Sequence, residues 1–181
     1  GGGVAFEPGP ENDEGGIRVG SNARISFDHI EEGEVLGAGC ALVMGTNGDD
    51  DITIIARNEL ANPAQFLGAD GVQDFTSAVN AGLQIFWIDT PELYIDALAG
   101  DDDIVLSTRA PDGVAAAGDW DMEVYIVGGT PSAETGDQGD VVEIETPYAY
   151  DDVIYTPTGS ETGDVLLDED GNGVYDPAGT D

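Results

Sequence analysis

The chain contains no lysine, a single cysteine, a single histidine and only four arginines, Arg18, Arg24, Arg57 and Arg109. Each scarcity removes a class of function. Phosphate backbones and anionic membranes are gripped by clustered Lys and Arg, so nucleic acid and acidic lipid surfaces are poor partners for this protein. With Cys40 alone there is no intrachain disulfide, and its place beside the apolar run Ala41–Met44 reads as a buried, inert thiol. One histidine cannot build a His-metal cluster. A Ser-His-Asp triad would have to use His29, and no Gly-x-Ser-x-Gly elbow accompanies it. No apolar run approaches the roughly 20 residues of a membrane-spanning helix, so membrane insertion is not expected. No signal-peptide pattern opens the chain, and its glycine start without methionine reads as a piece of a longer protein.

What the chain has in excess is acid. Asp and Glu number 38 against the four basic residues, for a formal net charge of −34. Two settings accommodate such an excess. One is extracellular, with calcium neutralising carboxylates; the other is high salt, where screening shortens the repulsion to a few ångströms. Apolar residues make up 40% of the 181, enough for a real core and against global disorder.

The acids are patterned. Gly48-Asp49-Asp50-Asp51-Ile52-Thr53-Ile54 and Gly100-Asp101-Asp102-Asp103-Ile104-Val105-Leu106 repeat one phrase, each preceded by an apolar stretch, Ala41–Met44 and Leu93–Leu98. The unit reads strand, acidic turn, strand. Adjacent carboxylates repel by about 1 kcal/mol per close pair even in water, so such turns are either fully solvated or neutralised by a cation. Weaker echoes follow in Met122–Val127 with Gly139–Ile144, and in Val153–Thr156 with Gly163–Leu167. Further strand-like runs are Ala23–Ile30, Ile52–Arg57, Gln73–Val79 and Leu83–Ile88, nearly all bracketed by Gly, Asp, Asn or Pro. No long segment has helical spacing; 58–71 has room for one helical turn before Pro63. The predicted class is all-β. Strand–turn–strand units with unequal loops suggest rungs of a parallel β-solenoid, and an antiparallel Ig-like β-sandwich is the alternative. Residues 1–22, acidic and rich in Gly and Pro, read as a linker or lead-in segment. Residues 23–167 read as the β-rich repeat domain, and 168–181 as a junction to a following domain.

Gly45-Thr46-Asn47-Gly48-Asp49-Asp50-Asp51-Ile52-Thr53 resembles the nonapeptide of RTX, or hemolysin-type, calcium-binding repeats, departing from it only at Thr46; Ala97–Val105 keeps Gly100, Asp102 and Ile104. The wider phrase, Tyr94–Val105, is similar to repeats of large bacterial surface proteins, particularly planctomycete ones. The resemblance implies a secreted or cell-surface protein with a β-roll or β-helix core, and calcium at Asp49, Asp50, Asp51, Asp101, Asp102 and Asp103. A second stretch, Asp168–Asp176, resembles the D-x-D-x-[DN]-G loop of EF-hand and related calcium sites. Asp168, Asp170 and Asn172 stand where oxygen ligands converge, Gly173 allows the sharp turn, and Asp176 follows at the ninth position. No Glu stands at the twelfth, and no helical segment flanks the loop.

The expected function is that of a non-enzymatic structural module of a surface layer or fibre, self-associating, with Ca2+ or salt neutralising its turns. An adhesin or carbohydrate-binding module is the alternative, with Trp87 and Trp120 as rings on which a sugar stacks. A calcium-dependent polysaccharide lyase is the third reading; it would use Arg57 or Arg109 beside the acidic turns.

Overall fold

The computed structural model describes residues 2–57, 74–108, 122–129 and 140–145, together with the backbone of 152–157 and 163–168. The strands in chain order are β1 (Val4–Pro8), β2 (Gly15–Val19), β3 (Ile25–Phe27), β4 (Glu32–Leu36), β5 (Ala41–Met44), β6 (Asp51–Arg57) and β7 (Asp74–Val79). They continue with β8 (Gln84–Ile88), β9 (Glu92–Asp96), β10 (Asp103–Ser107), β11 (Glu123–Val127), β12 (Val141–Glu145), β13 (Asp152–Pro157) and β14 (Gly163–Asp168). Among the described residues there is no helix, and none therefore that is long and apolar enough to cross a membrane. The class is all-β, as the alternation and the turn residues predict. The 58–71 stretch lies outside the described residues.

Two six-stranded sheets form, one in the order β11-β9-β5-β1-β2-β3 and the other β12-β10-β6-β7-β8-β4. One contiguous core is drawn from both, so the layering is that of a two-sheet sandwich. The sheets are mixed, unlike the wholly antiparallel Ig-like arrangement. β1, β5, β9 and β11 are parallel neighbours, as are β6, β10 and β12. β2, β3, β7 and β8 add antiparallel pairs. The parallel run has a local cause: β5–β6, β9–β10 and β11–β12 each send one strand to each sheet, so successive units lie side by side rather than folding back as hairpins. β13 and β14 depart from this. Expected as one more strand–turn–strand unit, they pair antiparallel with each other in a separate two-stranded sheet.

Alternation drives the core. In β6, Ile52, Ile54 and Ala56 turn inward and are fully buried, while Thr53 and Ile55 are half-buried on the other face. Leu93 and Ile95 of β9 and Ile104 and Leu106 of β10 repeat the pattern one strand further on. Residues 1–22, expected as a linker, contain β1 and β2: Val4 and Phe6 alternate into the core, and the acidic Pro/Gly stretch between the strands is their connection. Arg18 and Arg24 both reach Glu7 there, at 2.7 and 2.9 Å. Cys40 is half-buried rather than enclosed.

Candidate functional site

The register explains why the two acidic phrases matter. Ala41 of β5 lies opposite Leu93 of β9, which lies opposite Val124 of β11; in the other sheet Asp51 lies opposite Asp103, which lies opposite Val141. The turns between these strands therefore stack, and Asp50, Asp102 and Asp140 fall in one column. Backbone bonds join the levels: the Asp103 N–H donates to the Asp50 carbonyl and the Val141 N–H to the Asp102 carbonyl, both at 2.8 Å.

Carboxylates then cap amides across levels. The Asp50 N–H donates to Asp102 Oδ1 at 2.9 Å, 52 residues away. The Asp102 N–H donates to Asp140 Oδ1 at 3.2 Å, and the Asp101 N–H to Asp49 Oδ1 at 3.0 Å. An unmet buried N–H would cost about 1–3 kcal/mol, so these side chains finish the turns in place of a backbone partner.

The first level is closed on its outer side by Asn80, at the end of β7. Its Nδ2 donates to Asp50 Oδ1 at 2.6 Å, and its Oδ1 accepts the Asp51 N–H at 2.8 Å. Asp50 Oδ2 also accepts the Thr46 N–H at 2.6 Å, and the Thr46 hydroxyl stands 3.1 Å from both carboxylate oxygens. Thr46 is the one residue that departs from the nonapeptide pattern, and here its hydroxyl and amide hold the aspartate. At the second level Leu98 takes that place, with φ of 72°, and its N–H turns to Asp96 Oδ1 at 3.3 Å. Asp102 is consequently less well served. It is fully buried, its Oδ1 holds Asp50, and its Oδ2 has no hydrogen-bond partner among the described residues. Burial raises the Asp102 pKa above the ordinary carboxylate value; the bond from Asp50 opposes the rise, and the charges of Asp140, Asp50 and Asp49 add to it.

Close packing at the column also sets residue size. A Cβ on Gly45 would lie 2.6 Å from the Ala97 carbonyl oxygen and 2.8 Å from Asp50 Oδ2. Gly45→Ala is expected to cost about 1–2 kcal/mol, in the lower range of overpacking substitutions. Urea unfolding read by tryptophan fluorescence measures this, and a midpoint equal to the parent would refute the tight approach.

The expected ligand residues divide accordingly. Asp50 and Asp102 are buried caps, Asp49 accepts one backbone N–H, and Asp51 and Asp103 are exposed. Among the described residues no group of three or more His, Cys, Asp or Glu side chains converges to hold a metal. What the turns present is an oxygen-only column with one open buried oxygen, on Asp102. Asp170, Asn172 and Asp176 lie outside the described residues; of Asp168 only the backbone, closing β14, is described. Trp87, expected as a sugar platform, is fully buried: it stacks on Phe75 with ring centroids 6.0 Å apart and donates from Nε1 to Ser77 Oγ at 2.9 Å. Its place at an inward position of β8, opposite Phe75, is the reason. Trp120 and Arg109 lie outside the described residues. Arg57 donates from Nε to Thr76 Oγ1 at 3.1 Å and lies 5.9 Å from the centre of the Phe86 ring. His29 is exposed beside Asp28, with Nδ1 2.5 Å from a carboxylate oxygen.

One pair escaped the sequence reading. Tyr94 and Tyr125, opposite each other on β9 and β11, stack with ring centroids 4.7 Å apart on the outer face of their sheet. Tyr125 donates to Glu123 at 2.8 Å, which raises its pKa. The signal was available: both follow the pattern Glu-aliphatic-Tyr-Ile, at Glu92–Ile95 and Glu123–Ile126.

No protein-family model, curated protein or solved structure matches this chain. The likeness to calcium-binding repeats is thus one of motif, carried by Gly45–Thr53 and its second copy.

Proposed function

We propose that this chain is a non-enzymatic, extracellular structural module, whose stacked strand–turn–strand units run as parallel neighbours through its two-sheet sandwich, and that it self-associates into a fibre or surface lattice. The observation that supports it best is the in-register stacking of the two Gly-Asp-Asp-Asp turns, with carboxylates of one level capping amides of the next. Stacked copies of one unit are how a repeat protein buries its core and propagates shape. The extracellular placement rests on the motif resemblance and the acid excess.

The same stacking concentrates negative charge along one side. Calcium suits the all-oxygen donors there. In this reading Asp102, with its open oxygen, and Asp49, Asp101 and Asp140 beside it would hold cations, and the ion's chemistry would be neutralisation alone. Folding would then be linked to calcium outside the cell. The test is thermal unfolding in calcium, in EDTA, and in molar potassium chloride without calcium. Indifference to all three would remove the neutralisation argument. A glycan array addresses the adhesin alternative, and saturable binding to a defined sugar would replace the structural reading.

A further inference from the structure

The edges of the two sheets carry an inference about how one copy meets the next, and it rests on the structural-module reading above. Among the described residues, β11 and β12 are the edge strands at one end and β3 and β4 at the other. Strand direction can be followed across each sheet. From β11 through β9 and β5 to β1 all strands run one way, β2 reverses, and β3 restores the direction. In the second sheet β12, β10 and β6 agree, β7 reverses, and β8 and β4 restore it. Both sheets are six strands deep. A copy translated along the stacking direction thus sets its β3 against β11 and its β4 against β12, as parallel pairs in both sheets at once. Those are pairings of the kind already made by β9 with β11 and by β10 with β12. Two-fold related copies, by contrast, would pair β12 with β12 antiparallel and leave the stack closed.

The edge residues fit such a contact. Tyr125, Val127, Val141 and Val142 are 41–57% exposed at one end, and Ile25 and Leu36 are 64% and 66% exposed at the other. Unpaired edges with apolar side chains are where strands add. Charge opposes the contact: Glu32 and Glu34 lie on β4, and Glu143 and Glu145 on β12. The two edges therefore approach only where cations neutralise or screen them. We infer that the β11–β12 edge is the docking surface for the β3–β4 edge of a second copy, head to tail, under calcium or high salt. A translation that does not close yields an open filament. Six strands at about 4.8 Å each set an axial advance of roughly 29 Å per copy.

The experiment combines sedimentation velocity of the full chain, in calcium and in EDTA, with cysteine pairing in a Cys40→Ser background. Glu34→Cys protein is mixed with Glu145→Cys protein and oxidised, because the register carried across the sheet through Phe86, Thr76, Ile55 and Ser107 sets these two residues opposite each other in a translated copy. The expected result is polymer in calcium, monomer in EDTA, and disulfides between the two different variants. Val142→Pro supplies the second check. The Val141 N–H points inward to Asp102, so by alternation the Val142 N–H points off the edge, where proline is tolerated. That variant is expected to remain monomeric in calcium while unfolding in EDTA at the parent midpoint. Disulfides that form only between identical variants would overturn the head-to-tail contact in favour of a two-fold pair. A monomer in calcium, with the unfolding midpoint still raised by calcium, would also overturn it and leave the neutralised turns standing.

Discussion

Millimolar calcium is expected to raise the thermal midpoint of this protein by roughly 5–10 °C per occupied site relative to EDTA. The figure follows from linkage. A ligand that binds only the folded state, at a hundredfold excess over its dissociation constant, contributes about 2.7 kcal/mol. For a chain of this size each kcal/mol moves the midpoint by about 2–4 °C. The rival is screening. Raising monovalent salt from about 0.1 M to 1 M shortens the Debye length from about 10 Å to 3 Å and weakens repulsion among all the acids without filling any site. Differential scanning calorimetry separates the two. Calcium sites require a large calcium shift at an ionic strength where potassium chloride does little. An equal effect from molar potassium chloride would assign the acid excess to a saline habitat and withdraw every calcium assignment made for the aspartates.

The second large effect is expected at Asp102, where two substitutions should part in sign when measured in EDTA at neutral pH. Asp102→Ala removes the acceptor of the buried Asp50 N–H and leaves a void, and should destabilise the protein by about 1–3 kcal/mol. Asp102→Asn keeps a carbonyl oxygen for that N–H and removes a charge that burial and three neighbouring aspartates disfavour, so it should stabilise. The pH dependence follows from the raised pKa. The folded state holds the Asp102 proton more tightly than the unfolded chain does. Its favourable contribution is full below the ordinary carboxylate value, near 3.8, and is lost as pH rises through the folded-state value. The gap between Asp102→Asn and the parent should therefore open as pH climbs from about 4 toward neutrality. Calcium should narrow it, because a bound cation removes the same penalty. Denaturant titrations across that range check the prediction, and a gap independent of pH would show that Asp102 carries no such proton.

The repeated phrase made a good deal of the architecture legible. Two copies of Gly-Asp-Asp-Asp before β-branched runs predict equivalent strands, and β6 and β10 are in-register neighbours. The alternation in Ile52-Thr53-Ile54 correctly marks which side chains enter the core. Legibility failed where pairing is decided at long range. β4 carries Glu32, Gly33 and Glu34, poor strand formers by composition, and is a strand because it lies along β8. β1 and β2 hide in a glycine- and acid-rich context for the same reason. The segment Val153–Leu167 has the look of another unit, yet its two halves pair with each other, a choice that local pattern does not encode. At the site, a run of three aspartates reads uniformly as ligands. The fold gives adjacent positions opposite surroundings, with the middle residue of each triplet buried as a cap and the third exposed. Asn80, which closes the column, is 30 residues from Asp50 and belongs to no motif.

The carboxylate caps also impose an order in time. Asp50 donates its amide to a side chain 52 residues later, and Asp102 to one 38 residues later. The amides of the buried aspartates are met by carboxylates of the level made after them, while the Asp101 amide is met by Asp49 of the level made before. In a chain that emerges from its amino end, the first turn waits with an unmet amide until the second turn exists, and the second waits for the third. Contacts of such sequence separation are slow to close. Completion thus follows the emerging chain one level behind it, from the oldest turn toward the youngest.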